Sequence, residues 1–332
     1  MIPELKQEAV ARALRKAFDT DAFEDIRALT AGLSSALVFR ILVRGRPYLL
    51  RVITRTDAMS DPTRWFACMT SAADVGIAPR IWYTNVEDRI AITDYVEARP
   101  LPLGDAVVRL AATLRTLHAL PRFPLPRTGN YLDAMDSFVQ RFRAAKILPE
   151  SETEELFQLY GRLLRVYPRD DADMVSSHND LKPENMLFDG ERVWLVDWEA
   201  AFLNDRYHDL AVVANFVVTN QAQEEQLLQA YFGEPAGEYR LARFYLMRQL
   251  LHHFYTVVFL LIGSSGQPIE RKPEAPAFRE FHEDIWAGRL DLASNEMKLQ
   301  YGIVHMNQAL RNMHGARLRD ALQIVAGRHA AA

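Results

Sequence analysis

Apolar residues at Leu5, Ala9, Val10, Ala13, Leu14 and Ala17 recur at helical spacing, which predicts an opening helix over residues 4 to 18. From Phe23 to Thr54 the texture changes. The run ALVFRILVRGRPYLLRVIT is dense in branched and aromatic residues, and Arg44-Gly45-Arg46-Pro47 interrupts it as the turn of a β-hairpin. Asp61-Pro62 is a helix start, and the helix runs to about Val75, where GIAP ends it. RIWYTNVEDRIAITDYVEARPL then reads as two strands around a turn at Glu87-Asp88. The order helix, three strands, helix, two strands predicts a small antiparallel sheet with one inserted helix.

Beyond Arg99-Pro100 the pattern is mostly helical, over 103 to 118, 131 to 146, 151 to 166, 208 to 231, 238 to 262 and a long stretch after Glu296. The proline-rich LPRFPLPRTGN is a loop between two of these helices. The short apolar runs NMLFD and RVWLVD, joined by Gly190-Glu191, predict a second hairpin. The expected class is α+β, with a sheet unit over 1–97, a helical unit over 98–332 and the boundary near Glu97 to Pro102.

Composition narrows the partners. The 332 residues are 49% apolar and 25% charged, with a formal net charge of -4, so there is no basic footprint for nucleic acid or an anionic membrane. Cys68 stands alone and fits a reducing compartment. FYTVVFLLIG, the most apolar run, falls short of the ~20 residues a bilayer crossing needs. The opening residues carry no secretory or transit pattern, so a cytoplasmic protein without membrane insertion is expected.

The chemistry concentrates in SHNDLKPENMLFDGERVWLVDWE, residues 177 to 199. Singly, Asp180 and Asn185 read as turn formers and Asp197 as a strand terminator. Jointly, the predicted hairpin brings all three to one of its ends. Phosphoryl transfer needs such a set: a carboxylate to accept a hydroxyl proton, and an amide oxygen with a second carboxylate to hold Mg2+. The spacing His178-x-Asp180-x4-Asn185, followed by a strand pair and Asp197, matches a kinase catalytic loop and metal loop.

HNDLKPENML and VDWEA resemble the catalytic and metal loops of the aminoglycoside phosphotransferase and choline kinase superfamily, relatives of the protein kinases. The resemblance runs from about residue 23 to about residue 262. It implies a protein-kinase-like two-lobe fold, Asp180 as catalytic base, Asn185 and Asp197 as Mg2+ ligands, and His178 as a buttress of the loop. LNDRYHDLAVVANF is similar to the continuation in choline-kinase-like and thiamine-kinase-like enzymes, where the acid at Asp209 ties down the catalytic loop. On its own, Asp209 reads as a cap for a helix starting at Leu210.

For ATP, the turn in LTAGLSSALVF offers Gly32, Ser34 and Ser35 to the phosphates, and YLLRV offers Arg51 as their cation. The acid expected on the following helix is missing, since DAMSDPTRWFACMTSAAD has no Glu. Asp57 and Asp61 are the nearest substitutes. ITDYVEARPL resembles the hinge, where main-chain groups of Asp94, Tyr95 and Val96 would meet adenine.

The acceptor side is less legible. Trp198 and Glu199 suit a cationic amino alcohol; alternatively Trp198 packs in the core and Glu199 pairs with an arginine such as Arg206. Asn204, Asp205, Tyr207, His252, His253 and Tyr255 are further candidates. Glu283, Asp284 and Trp286 read as an amphipathic helix face. The expected function is ATP-dependent phosphorylation of a small hydroxylated metabolite of the choline, ethanolamine or thiamine type. The alternatives are an aminoglycoside- or homoserine-type kinase, or an inactive nucleotide-binding regulator.

Overall fold

The computed structural model describes residues 2–29, 36–57, 60–125, 131–169, 171–269 and 272–330. Helix α1 (Glu4–Phe18) covers one face of a five-stranded antiparallel sheet. The strands are β1 (Asp25–Leu29), β2 (Ala36–Val43), β3 (Arg46–Ile53), β4 (Ile81–Asn85) and β5 (Ile90–Asp94), in the order β1-β2-β3-β5-β4. The β2–β3 turn is tight because Arg44 and Gly45 both adopt left-handed conformations, φ 51° and 72°, as right-twisted two-residue hairpins require. Alternation along β3 then divides the side chains. Tyr48, Leu50 and Val52 join Leu14 and Phe18 in the core under α1, and Leu49 and Arg51 face the opposite way.

Helix α2 (Thr63–Asp74) follows β3 but does not share that core. Trp65, Phe66, Cys68 and Met69 join the large core of the helical body. Arg64 donates to the carbonyl oxygens of Ala201 and, at 2.8 Å, Glu199. The inserted helix is thus docked onto the segment that follows Asp197.

The helical body comprises α3 (Leu103–His118), α4 (Tyr131–Ala144), α5 (Glu150–Val166), α6 (Arg206–Val217), α7 (Gln221–Phe232), α8 (Glu238–Gly263), α9 (Phe278–Trp286), α10 (Asn295–Met313) and α11 (Ala316–Ala330). By length and apolar composition α8 could cross a membrane, yet it runs through the centre of the bundle with most of its apolar window buried. Its closest neighbour is α10. A Cβ on Gly302 would lie 2.8 Å from Leu260 Cγ, and one on Gly263 would lie 2.9 Å from the Asn295 carbonyl oxygen, so two glycines permit the approach.

Three boundaries differ from the sequence expectation. The helix expected over 208 to 231 is two helices, because Asn220 caps α7 by accepting the Gln223 N–H, and Gln223 Oε1 accepts the N–H of Thr219, just before the cap. Helix α6 starts at Arg206 with Asp205 as its cap, so Asp209 lies inside the first turn and is not a cap before Leu210. The stretch after Glu296 breaks at His314-Gly315 into α10 and α11. Two further short strands, β6 (Met174–Ser177) and β9 (Phe202–Asp205), pair antiparallel, and the hairpin of β7 (Met186–Phe188) and β8 (Val193–Leu195) lies between them in sequence.

Three histidines meet inside the body. His252 Nδ1 lies 2.9 Å from His305 Nδ1, and the His282 ring centroid is 5.3 Å from that of His305. Burial pushes His282 down to about 3 and holds His252 and His305 well below the ordinary histidine range. An unfolded chain protonates these rings near pH ~6.5. Below that value the unfolded state binds more protons than the fold, so stability is full above it and is lost as pH falls. The melting temperature is therefore expected to drop steadily from about pH 7.5 to about pH 5, before carboxylates titrate. A flat melting temperature across that window in scanning calorimetry would contradict the neutral buried cluster.

Candidate active site

The segment from β6 to α6 is shaped by one buried carboxylate. Asp209, wholly buried, accepts the His178 N–H at 2.9 Å and the Asn179 N–H at 2.8 Å. His118 Nε2 stands 3.2 Å away. Burial pushes the Asp209 carboxyl up, but the hydrogen bond from His118 helps hold it well below the usual carboxylate range. The anchored loop turns sharply, with Asn179 at φ 67°. Its side-chain amide donates to the Ala200 carbonyl at 3.0 Å and accepts from Asn204 Nδ2 at 2.7 Å. The loop bearing Asp180 is thereby fastened to the segment beyond Asp197.

His178 is buried beneath this turn. Its Nε2 lies 2.9 Å from the Val196 carbonyl and its Nδ1 lies 3.4 Å from the Asp180 N–H. That assigns the tautomer: Nε2 carries the proton and Nδ1 accepts. Asp180 projects from the loop with its side chain 42% exposed, enough for a second molecule to reach it. Asn185 Nδ2 donates to the Asp180 main-chain oxygen at 2.8 Å and to Asp180 Oδ2 at 2.9 Å. With the amide nitrogen committed, Asn185 has its side-chain oxygen left to offer. The Asn185 carbonyl also accepts the Val196 N–H at 3.0 Å, which brings Asp197 alongside.

Asp197 sits at φ 63°, a strained position for a residue with a Cβ. Arg51, 8% exposed, donates to Asp197 Oδ1 at 2.8 Å and lies 3.1 Å from Glu199 Oε1. Burial raises the Asp197 carboxyl, but Arg51, followed by Lys182, brings it below the ordinary value. The carboxylates beside Arg51 thus come from the loop after β8. Asp57 and Asp61, the nearest substitutes for the missing helix acid, bond to Ser60 and Thr63 next to them. Glu199 meets Arg51 and not Arg206, which pairs with Asp173.

Arg51, Lys182, Asn185 and Asp197 form the polar end of a cavity of ≈ 380 Å³ between the sheet and the body. Val38, Leu49, Ala91, Leu187 and Leu195 line its apolar part, and Asp94, Tyr95 and Val96 pass along its edge. The Asp94 carboxylate is held there by Trp82 Nε1 at 2.7 Å. Gly32, Ser34 and Ser35 lie outside the described residues. Lys182, unassigned from sequence, stands 3.6 Å from Asp180 Oδ2; burial opposes its charge, but Asp180 leads the carboxylates that raise it. The signal was present in the motif LKPEN, between the two loop residues already singled out.

The acceptor candidates scatter. Trp198 is 1% exposed, bonds Leu195 O and packs on His178, so its indole is spent on the core. Asp205 caps α6 and binds Arg243 at 2.8 Å. Tyr207 is buried beneath the Arg243 guanidinium. His253 bonds Leu156 O and Gln249 O. Among the described residues, no group of three or more His, Cys, Asp or Glu side chains could hold a metal ion.

Residues 25–245 match the model of the phosphotransferase enzyme family. Protein LicA of Haemophilus influenzae is 26% identical over 132 residues, a stretch covering 38% of this chain and 38% of that relative, so the match spans well under half of LicA. Among solved structures, a choline/ethanolamine kinase family protein from Mesorhizobium loti superposes with a TM-score of 0.68 at 18% identity, covering 97% of this chain and 99% of its own. The gentamicin complex of APH(2″)-IIa superposes with a TM-score of 0.58 at 13% identity, covering 90% and 99%. These structural likenesses establish a protein-kinase-like fold.

Replacing Asp209 with Ala strips two buried N–H groups and His118 of their acceptor. The expected cost is about 3–5 kcal/mol, read from chemical denaturation, with faster hydrogen exchange at the His178 and Asn179 amides. A denaturation midpoint equal to that of the unsubstituted protein would remove Asp209 as the anchor.

Proposed function

Because the chain belongs to the phosphotransferase enzyme family, we propose that it transfers the γ-phosphate of ATP to a hydroxyl group of a small metabolite. The favoured acceptor is an amino alcohol of the choline, ethanolamine or thiamine type. The observation that carries this reading is the gathering of Asp180, Asn185 and Asp197, of which Asn185 and Asp197 line one end of a largely apolar cavity and Asp180 is hydrogen-bonded to Asn185 beside it. The division between lobes is taken at residues 95–102, where the chain leaves β5 for α3.

In this reading adenine lies among Val38, Leu49, Ala91, Leu187 and Leu195, with its edge against the main chain of Asp94 to Val96. Arg51 and Lys182 meet the phosphates; Arg51 brings a fork that pairs two oxygens. A divalent ion fits the remaining groups. The guanidinium of Arg51 already stands as a cation between the Asp197 and Glu199 carboxylates, and Asn185 contributes an amide oxygen, all hard donors. Asn185 and Asp197 would hold Mg2+, which supplies charge neutralisation on the nucleotide phosphates.

Asp180 is the base. Asn185 and Lys182 both engage its Oδ2, leaving Oδ1 to orient the acceptor hydroxyl in line with the γ-phosphorus and take its proton as the new oxygen–phosphorus bond forms and the bond from the γ-phosphorus to the β,γ-bridging oxygen breaks, with ADP as the leaving group. The Asp209 clamp and the His178 buttress set that carboxylate's position before substrate arrives, which is where positioning contributes most.

The amino-alcohol preference rests on likeness to structures named for such kinases. The Mesorhizobium structure is named as a choline/ethanolamine kinase family protein, and a further similar structure is named as the choline kinase LicA of Streptococcus pneumoniae. One of the two motives for the inactive-regulator reading, the missing helix Glu, weakens because Arg51 has two carboxylates beside it; the other, the single-glycine loop, falls outside the described residues.

Asp180→Asn is expected to lower kcat by about 10²–10⁴-fold while ATP affinity by calorimetry stays within about twofold of the parent. ADP release measured with choline, ethanolamine, thiamine, homoserine and aminoglycosides identifies the acceptor class. Parent-like turnover by the variant would exclude Asp180 as base. Nucleotide binding without turnover on any acceptor would favour the regulator.

A further inference from the structure

A second cavity, of ≈ 330 Å³, opens on the far part of the body among α7, α8, α9, α10 and α11, and shares no lining residue with the cavity between sheet and body. Four arginines line it: Arg248, Arg279, Arg311 and Arg317, while Glu224 is the one acid in its wall. Glu224 is buried and shared, taking Arg248 Nη1 at 2.5 Å and Arg317 through both carboxylate oxygens. Arg279 is answered by Glu283 at 3.2 Å and by the Phe216 and Val218 carbonyls. Arg311 is exposed and makes no ion pair among the described residues. Four guanidinium groups therefore face two carboxylates.

A purely structural ion-pair cluster would balance its charges, because like charges brought together cost energy unless something offsets them. Here they crowd. Burial, reinforced by the nearby Arg317 charge, holds Arg248 below the ordinary arginine value in spite of Glu224. Burial and the Arg248 charge act in the same way on Arg279 and on His252 in the cavity wall. Arg248 also keeps its Nε buried with no hydrogen-bond partner. The two uncompensated charges, the unspent donor and the planar forks of arginine match the charge and oxygen geometry of a phosphate dianion better than a monovalent carboxylate.

We propose that this cavity is a second binding site, distinct from the nucleotide cleft, for a small phosphate dianion held by Arg248, Arg311 and Arg317. The phosphate is either the free ion or the end group of a small phosphomonoester.

Isothermal titration of the full chain, with a non-hydrolysable ATP analogue filling the cleft, tests the site using inorganic phosphate and methyl phosphate separately. Saturable one-to-one binding is expected above a sodium chloride control of equal ionic strength, and the analogue should not displace it. Arg311→Ala should weaken it about tenfold, the worth of one hydrogen bond to a charged group. Arg248→Gln should weaken it further; since that change also strips a partner from buried Glu224, the surface variant Arg311→Ala decides if Arg248→Gln fails to fold. A response to inorganic phosphate alone assigns the free ion, and tighter binding of methyl phosphate assigns the monoester. No saturable heat with either, displacement by the analogue, or parent affinity in Arg311→Ala overturns the proposal.

Discussion

The position of the candidate catalytic groups depends on a negative charge that never touches solvent. Asp209 lies at 0% exposure and accepts from two consecutive backbone amides, so the turn that presents Asp180 is tied to helix α6. A neutral residue in its place would leave those amides without an acceptor in a dry interior, where an unmade bond costs more than a made one contributes. Because α6 is buried from Tyr207 to Val217, the loop is tied to the interior of the body. Asp205, four residues earlier, does the equivalent for the start of the helix, with Arg243 and Tyr167 satisfying its other oxygen.

The sheet is joined to this body through charge and packing together. Arg51 reaches from β3 to Asp197 and Glu199 and lies over the Trp65 ring at 5.2 Å. Arg64 fastens α2 to the carbonyl oxygens on the same segment. The inserted helix is therefore packed on the segment after Asp197, and a carboxylate from that segment meets Arg51 where the helix itself carries no Glu. This arrangement places one buried cation between two carboxylates at the polar end of the cavity.

Buried polar groups elsewhere follow a different logic. The histidines of α8, α9 and α10 are kept neutral by burial, whereas the arginines one turn away remain charged and share too few acids. Neutral rings can be packed against aromatics, as His305 is against Tyr255 and Tyr301. Guanidinium groups cannot shed their protons and so concentrate positive potential in the cavity they border.

Local chemistry made much of this protein legible from its residues. Hairpins, helix spans such as 103–118 and the Asp180, Asn185, Asp197 spacing depend on periodicity and turn chemistry within short windows, and the folded chain repeats them. The split between α6 and α7 was also local, written in Asn220 and Gln223, but the apolar run LAVVANFVV before it hid it. Long-range pairing was a different matter. That Glu199 meets Arg51 across 148 positions, that Trp198 is swallowed by the core, and that Glu224 gathers arginines from α8 and α11 could be decided only when separate elements packed. Charges and aromatic faces have many possible partners in a sequence, and burial selects among them by excluding water from all but one arrangement.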